Sequence, residues 1–317
     1  MLIAERSTCG SLPGAAIGKI STLCSGHRNP SPCASGLRRA FVEHVRSRPG
    51  SADYAGRVSS LPERLPRVSA LRYVTPLREG GSLPAVMEAD DDGTYVVKFR
   101  GAGQGLKVLV AEVITSEIAR VLAIPTPELV VVTLDEALTK YERDEEVQDL
   151  LKASVGTNLG SDFLPGSFGY DGSRPPTPDL AARILWLDAF ALNVDRTWAN
   201  PNLVVWHGQA YAIDHGASLW FHHSWVRKAP DAAAFSTRAF DASSHVLAEV
   251  AAPVRSIGDE LAANLTDDVL QDVIGLVPEE WLEPTEQLAG PDAVRAAYLD
   301  HLRARRDAQA VWTEGLP

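Results

Sequence analysis

Cysteine is scarce in this chain and is confined to one end. Cys9, Cys24 and Cys33 are its three cysteines, so residues 69–317 contain none. Fourteen and eight residues lie between neighbouring cysteines and there is no CxxC pair, which argues against a zinc site or a disulfide framework. This usage is typical of a reducing compartment, and we predict a cytoplasmic protein.

Long apolar runs are also missing. The stretches 129–133 and 181–192 are far shorter than a membrane span or are interrupted by charge. The first charged residues are not followed by an apolar segment, so the pattern does not predict a secretory signal. We therefore expect no membrane partner.

Basic residues are depleted outside the first 68 residues. Residues 1–68 hold ten Lys/Arg and four Asp/Glu, a net charge of +6, so the remainder carries −17 within an overall −11. An acidic surface does not favour nucleic-acid phosphates, and we expect no direct nucleic-acid binding. Residues 1–68 are rich in Ser, Gly, Pro and Arg, which predicts a disordered basic extension with a short helix at about 36–47.

The pattern beyond this extension predicts an α+β fold of two lobes, with residues 69–165 as a strand-rich N-lobe. Strands are predicted at 85–89 and 94–99 around the turn 90–93, and at 129–134 and 159–164. A helix is predicted at 107–122, ended by Pro125 and Pro127, and a second helical stretch at 135–152.

Residues 166–178 contain three prolines and are predicted to link this lobe to a helical C-lobe, residues 179–317. Asp179 is predicted to cap a helix at 180–193, whose apolar residues run nearly all round and indicate burial. A short hairpin follows, with strands at 203–206 and 210–213, and helices fill the rest.

Three polar residues lie at the ends of these buried elements, namely Asp195, Asn200 and Asp214. Phosphoryl transfer depends on positioning and charge neutralisation, and it needs such a set. One carboxylate accepts the proton of the attacking hydroxyl, which suits Asp195. A second carboxylate and a carboxamide bind Mg²⁺ through oxygen, which suits Asp214 and Asn200. Asn202 is the rival for Asn200.

A cation for the nucleotide phosphates is supplied by Lys98 in the predicted strand 94–99. A lysine within an apolar strand is costly to bury without an acidic partner. The following helix offers Glu112 and Glu117, and the residues alone leave this choice open.

The pattern D-x-x-x-x-N followed by D-x-G, with an upstream strand lysine and helix glutamate, resembles the protein-kinase fold. The chain has Asn193-Val194-Asp195 where protein kinases carry His-Arg-Asp, and Arg196 follows. Over about residues 70–225 it is most similar to the HipA-like kinase family. The stretches that carry the resemblance are Gly80–Pro84, Tyr95–Phe99, Ala111-Glu112, Ile124-Pro125, Asp195–Asn202 and Ile213–Gly216.

This resemblance implies a role for each matching residue. Gly80, Gly81 and Ser82 match the loop that covers the phosphates, and Asp162-Phe163-Leu164 matches the hinge that contacts adenine. Lys98 matches the lysine on the α- and β-phosphates, and Glu112 matches its helix partner. Asp195 matches the catalytic base, and Asn200 and Asp214 match the metal ligands.

The resemblance implies a kinase that uses ATP and Mg²⁺ and phosphorylates a Ser/Thr hydroxyl of a protein. The alternatives are a small-molecule acceptor and a pseudokinase that binds nucleotide without transfer. The adjacent glycines of the phosphate loop depart from the spaced set of ordinary kinases. The family's autophosphorylated serine and the accessory subdomain of its toxin-type members have no counterpart here, so an antitoxin partner is not carried over.

Two other patterns favour structural interpretations. Gly101, Gly103 and Gly105 follow a strand but have the spacing G-x-G-x-G, which differs from the dinucleotide-binding motif. His215, His222 and His223 lack the spacing of a helical metal site.

Overall fold

The structure is a computed structural model that describes residues 61–62, 64–77, 83–103, 105–140 and 142–317. The predicted helix at about 36–47 and most of the predicted basic extension lie outside the described residues. Strands and helices are mixed within the described ranges, which confirms the α+β class. None of the described helices combines the length and apolar character needed to cross a membrane.

Five strands form a closed barrel in the order β1-β2-β3-β5-β4. The predicted hairpin is confirmed as β2 and β3, which pair antiparallel. The barrel closes through β1, which pairs antiparallel with β2 and parallel with β4. Strand β1 was not predicted, because only Val68 and Ala70 of its ten residues are buried and its apolar pattern is therefore weak. The strands are β1 Arg67–Pro76, β2 Ala85–Ala89, β3 Thr94–Lys98, β4 Leu129–Leu134 and β5 Gly156–Asp162.

The first long helix, α1, spans Leu106–Val121, as predicted to within one residue. Eleven of its sixteen residues are buried, among them two glutamates, a threonine and a serine. Such polar side chains need internal partners, because an unpaired buried polar group is costly. The helix ends where Ala123 takes a left-handed φ of 56° before Pro125.

The charged stretch 135–152 forms two helices, α2 Glu136–Thr139 and α3 Glu145–Ala153. Asp135 and Asp144 cap them by accepting hydrogen bonds from backbone N–H groups of the first turn. The strand predicted at 159–164 starts earlier, because Gly156 already pairs with Leu134 of β4.

The proline-rich junction is more than a linker. A two-residue strand, β6 Phe168–Gly169, pairs with β7 Leu203–Trp206, and β8 Gln209–Ala212 completes this small sheet. Helix α4, Pro178–Ala191, follows. The prediction that Asp179 caps this helix is wrong, because the N-cap residue is Thr177. The Thr177 hydroxyl accepts a hydrogen bond from the Leu180 N–H over 3.3 Å. Pro178 lies in the first turn, where a missing N–H is tolerated.

Helix α4 is the centre of the C-terminal half, with ten buried residues. The ring of Trp186 lies 5.2 Å from that of Phe190 and 5.3 Å from that of Trp312. One apolar core joins α4 to α1 and to the later helices. Those are α5 Ala232–Ser236, α6 Arg255–Asn264, α7 Asp267–Gly275, α8 Pro291–Asp307 and α9 Gln309–Trp312, with 3₁₀ helices at Trp220–Val226 and Glu279–Trp281.

Candidate active site

Lys98, the last residue of β3, bridges two carboxylates from distant parts of the chain. Its Nζ lies 2.6 Å from Glu112 Oε2 and 2.7 Å from Asp214 Oδ1. The lysine side chain is only 13% exposed. Burial lowers the pKa of Lys98, but the two carboxylates outweigh it and raise that pKa above its ordinary value. The lysine is therefore held as a cation.

The choice between the two helix glutamates is decided by their direction from α1. Glu112 contacts Lys98, whereas Glu117 Oε2 pairs with Arg120 Nε over 3.1 Å. Five residues turn a helix through about 140° beyond one full turn, so the two glutamates point to different sides.

Asp214 follows β8 in a strained turn. Its φ is 53°, in the left-handed region that a residue with a Cβ seldom adopts. Lys98 above all lowers the pKa of Asp214, against the opposing effect of burial. The side chain is nevertheless 47% exposed, so this carboxylate both contacts the lysine and faces outward.

Asp195 lies in the loop that leaves α4, and two amides converge on one of its oxygens. Asn200 Nδ2 donates to Asp195 Oδ2 over 2.9 Å, and Asn202 Nδ2 donates to the same oxygen over 3.4 Å. Asn200 is exposed, whereas Asn202 is buried. The backbone N–H of Ile213 donates to the carbonyl of Asn202 over 3.0 Å, which brings this loop beside the Asp214 turn.

The two segments predicted to contact the nucleotide differ in what the structure describes. Gly80, Gly81 and Ser82 lie outside the described residues, in the connection between β1 and β2. The predicted hinge begins at the end of β5, where the N–H groups of Asp162 and Phe163 donate to the carbonyls of Glu128 and Thr94. Those two N–H groups are therefore already hydrogen-bonded within the protein.

The oxygen donors of this region suit a magnesium ion that is shared with a nucleotide. Within the described ranges, no group of three or more His, Cys, Asp or Glu side chains is arranged to hold a metal ion unaided. Mg²⁺ in nucleotide sites takes one or two protein oxygens together with phosphate oxygens. The carboxylate of Asp214 and the amide oxygen of Asn200 fit that chemistry.

Comparison with known proteins shows the family of this chain. The family model described as HipA-like kinase matches residues 72–314. This chain belongs to the HipA-like kinase family. A search of curated proteins finds no match. Among solved structures, a proinflammatory kinase of Helicobacter pylori, CtkA, is similar over 74% of this chain and 94% of its own, with 10% identity and a TM-score of 0.43.

Membership of the HipA-like kinases supports a kinase-type phosphotransferase. In this HipA-like kinase one part of the site was not predictable from the motifs, namely the ion pair of Asp188 and Arg196, whose side chains are both fully buried. Arg196 Nε lies 2.5 Å from Asp188 Oδ2. The available signal was an aspartate among the apolar residues of the C-terminal part of α4, because a buried carboxylate requires a partner.

The predicted histidine cluster is divided between two environments in this HipA-like kinase. His215 Nδ1 lies 3.2 Å from Arg196 Nη2, whereas His222 Nδ1 lies 2.8 Å from the hydroxyl of Tyr298. Burial, followed by the charge of Arg196, lowers the pKa of His215 to about 3. His215 is therefore neutral and accepts from the guanidinium.

Proposed function

We propose that this HipA-like kinase transfers the γ-phosphoryl group of ATP to a hydroxyl group. The observation that carries the proposal is the convergence of a strand lysine, a helix glutamate and a turn aspartate. Lys98 Nζ lies 2.6 Å from a carboxylate oxygen of Glu112 and 2.7 Å from one of Asp214. A strand lysine paired with a helix glutamate is the arrangement that binds nucleotide phosphates in kinases.

In the proposed mechanism, each residue has one task. Lys98 binds the α- and β-phosphates while Glu112 keeps its ammonium group in place. The hydroxyl oxygen of the acceptor forms a bond to the γ-phosphorus while Asp195 accepts the proton of that hydroxyl. The bond between the γ-phosphorus and the bridging oxygen breaks, and ADP leaves with that oxygen. Asn200 and Asp214 would hold Mg²⁺, which supplies positive charge against the phosphates.

A protein acceptor is favoured over a small molecule by the surface beside Asp195. Val194 and Trp198 flank the proposed base and are 65% and 58% exposed. Trp198 stacks on Tyr170 at a centroid distance of 6.1 Å. Large exposed apolar side chains at a reaction centre suit contact with a macromolecule, since a small polar acceptor gains little from them. We propose a Ser/Thr hydroxyl of a protein as the acceptor.

Two measurements test this function, namely calorimetric titration with ATP and Mg²⁺ and transfer of label from γ-labelled ATP to a degenerate Ser/Thr peptide library. We expect Asp195→Asn to bind ATP within about threefold of the wild type and to lose transfer by about 10²-fold or more. Lys98→Met should weaken ATP binding, whereas Lys152→Met, which removes an exposed lysine of α3, should not.

The competing hypotheses give different results in the same assays. A pseudokinase binds ATP but transfers no label in the wild type. Transfer that persists undiminished in Asp195→Asn would falsify the proposed role of that residue. If transfer to small hydroxyl compounds is much faster than transfer to peptides, the proposed protein acceptor is wrong, but the proposed ATP-dependent transfer still holds.

A further inference from the structure

Arg196 directly follows the proposed base and all five of its N–H donors have acceptors. Nε and one Nη2 hydrogen point to the two carboxylate oxygens of Asp188, at 2.5 Å and 3.3 Å. Nη1 donates to the carbonyls of Asn202 and Ile213, the latter over 3.3 Å. The second Nη2 hydrogen faces Nδ1 of His215 at 3.2 Å. A guanidinium with five donors is thereby fully satisfied inside the protein.

These acceptors belong to the two segments that carry the proposed metal ligands. Asn202 lies two residues after Asn200, and Ile213 and His215 flank Asp214. One rigid, planar group therefore contacts the loop on one side and the Asp214 turn on the other. Because Asp214 has a left-handed φ of 53°, its conformation depends on such contacts from its neighbours.

The guanidinium is itself fixed to helix α4 through Asp188. That carboxylate also accepts from Asn193 Nδ2 over 2.9 Å and from His245 Nε2 over 3.0 Å. The N–H of Leu247 donates to His245 Nδ1, so the ring proton of His245 is on Nε2. Burial raises the pKa of Asp188, but Arg196 and then His245 outweigh it and hold that pKa well below its ordinary value.

We propose that Arg196 is a positioning residue that sets the separation between Asn200 and Asp214, so that both bind the same metal ion. Lysine cannot replace it, because an ammonium group lacks the planar fork that reaches a carboxylate and two carbonyls at once. This inference rests on the proposed function, since it assumes that these two residues are metal ligands.

The test compares Arg196→Lys with Arg305→Lys. Arg305 is the matched control, because it is also fully buried but donates to backbone carbonyls such as those of Ala189 and Ser236. We measure the ATP dissociation constant by calorimetry with Mg²⁺ and with EDTA, and the Mg²⁺ concentration that gives half-maximal transfer. Thermal unfolding of each variant shows whether it is folded.

In Arg196→Lys we expect the gain in ATP affinity due to Mg²⁺ to fall about tenfold and half-maximal Mg²⁺ to rise by about tenfold. ATP affinity in EDTA should stay within about threefold. In Arg305→Lys the melting temperature falls, but both Mg²⁺ measurements stay at wild-type values.

A second variant keeps the test decisive if Arg196→Lys does not fold. His245→Phe removes one bond to Asp188 and leaves Arg196 in place, and we expect a shift of the Mg²⁺ measurements in the same direction, by about threefold. Unchanged Mg²⁺ dependence in the folded variants, or an equal shift in Arg305→Lys, overturns the inference. If the wild type shows no Mg²⁺-dependent ATP binding or transfer, the proposed function itself has failed.

Discussion

Lys98 and Asp214 form a hydrogen-bonded ion pair of 2.7 Å although they are 116 residues apart in the chain. The lysine ends a barrel strand, and the aspartate lies in the turn that follows the last strand of the small sheet. Their contact joins the predicted phosphate-binding residue to the predicted metal ligand. The same lysine also pairs with Glu112, so one cation offsets two carboxylates before any nucleotide arrives.

The first prediction compares the two buried glutamates of α1. Glu112→Gln removes the helix partner of Lys98, and we expect kcat/KM for ATP-dependent transfer to fall by about 10-fold to 100-fold. Glu117→Gln breaks only the pair with Arg120 and should lower stability while kcat/KM stays within about threefold of the wild type. Steady-state kinetics and thermal unfolding of both variants check this. Equal losses of activity contradict the pairing.

The second prediction decides between Asn200 and Asn202 as the metal ligand. Asn200→Ala should raise half-maximal Mg²⁺ by about tenfold or more. Asn202→Gly is the matched variant, because glycine accepts the φ of 47° found at Asn202 and keeps the carbonyl that Arg196 contacts. Its Mg²⁺ dependence should remain that of the wild type. The reverse order of effects would assign the metal to Asn202.

The third prediction concerns Trp198 as a contact for the acceptor. Trp198→Ala removes an exposed ring beside Asp195, so KM for a peptide acceptor should rise about tenfold while the ATP dissociation constant is unchanged. The control is Trp220→Ala, which removes another exposed tryptophan, one that packs under Arg238 at 4.4 Å. Peptide kinetics and ATP titration distinguish the two. A wild-type KM for peptide in Trp198→Ala argues against this acceptor surface.

The fourth prediction concerns acid stability through His222. Burial, and then the charges of His223 and Lys107, hold the pKa of His222 well below 6.5. As the pH falls below about 6.5, His222 takes up a proton in the unfolded chain but not in the folded chain. The contribution of neutral, buried His222 to the free energy of unfolding is therefore present above about pH 6.5 and is lost as the pH falls. One such histidine costs about 2 kcal/mol between pH 6.5 and pH 5.

Urea unfolding at pH 8 and pH 5 measures this effect. His222→Asn does not titrate and retains an amide that can bond to Tyr298, the partner of His222 over 2.8 Å. We expect its free energy of unfolding to fall less between the two pH values than that of the wild type, by about 2 kcal/mol. Equal losses in both proteins would show that His222 does not contribute.

The sequence by itself determined the elements that depend on neighbouring residues, namely turns, hairpins and helices with regular apolar spacing. The hairpin of β2 and β3 followed from a turn between apolar strands, and α1 followed from helical spacing that ends before Pro125. Strand β1 was not predictable in this way, because most of its side chains are exposed and its place depends on pairing with β4, some sixty residues later. Pairing between distant strands leaves little trace in the pattern of one strand.

The charged residues of the site could also be predicted from the sequence, because Lys98, Asp195 and Asp214 lie at or near the ends of apolar elements. Tertiary structure alone decided which glutamate meets Lys98 and which groups surround Arg196. The physical reason is that helix spacing sets the angle between Glu112 and Glu117 but not the rotation of α1 against the barrel. That rotation comes from packing, and packing is a property of the whole folded chain.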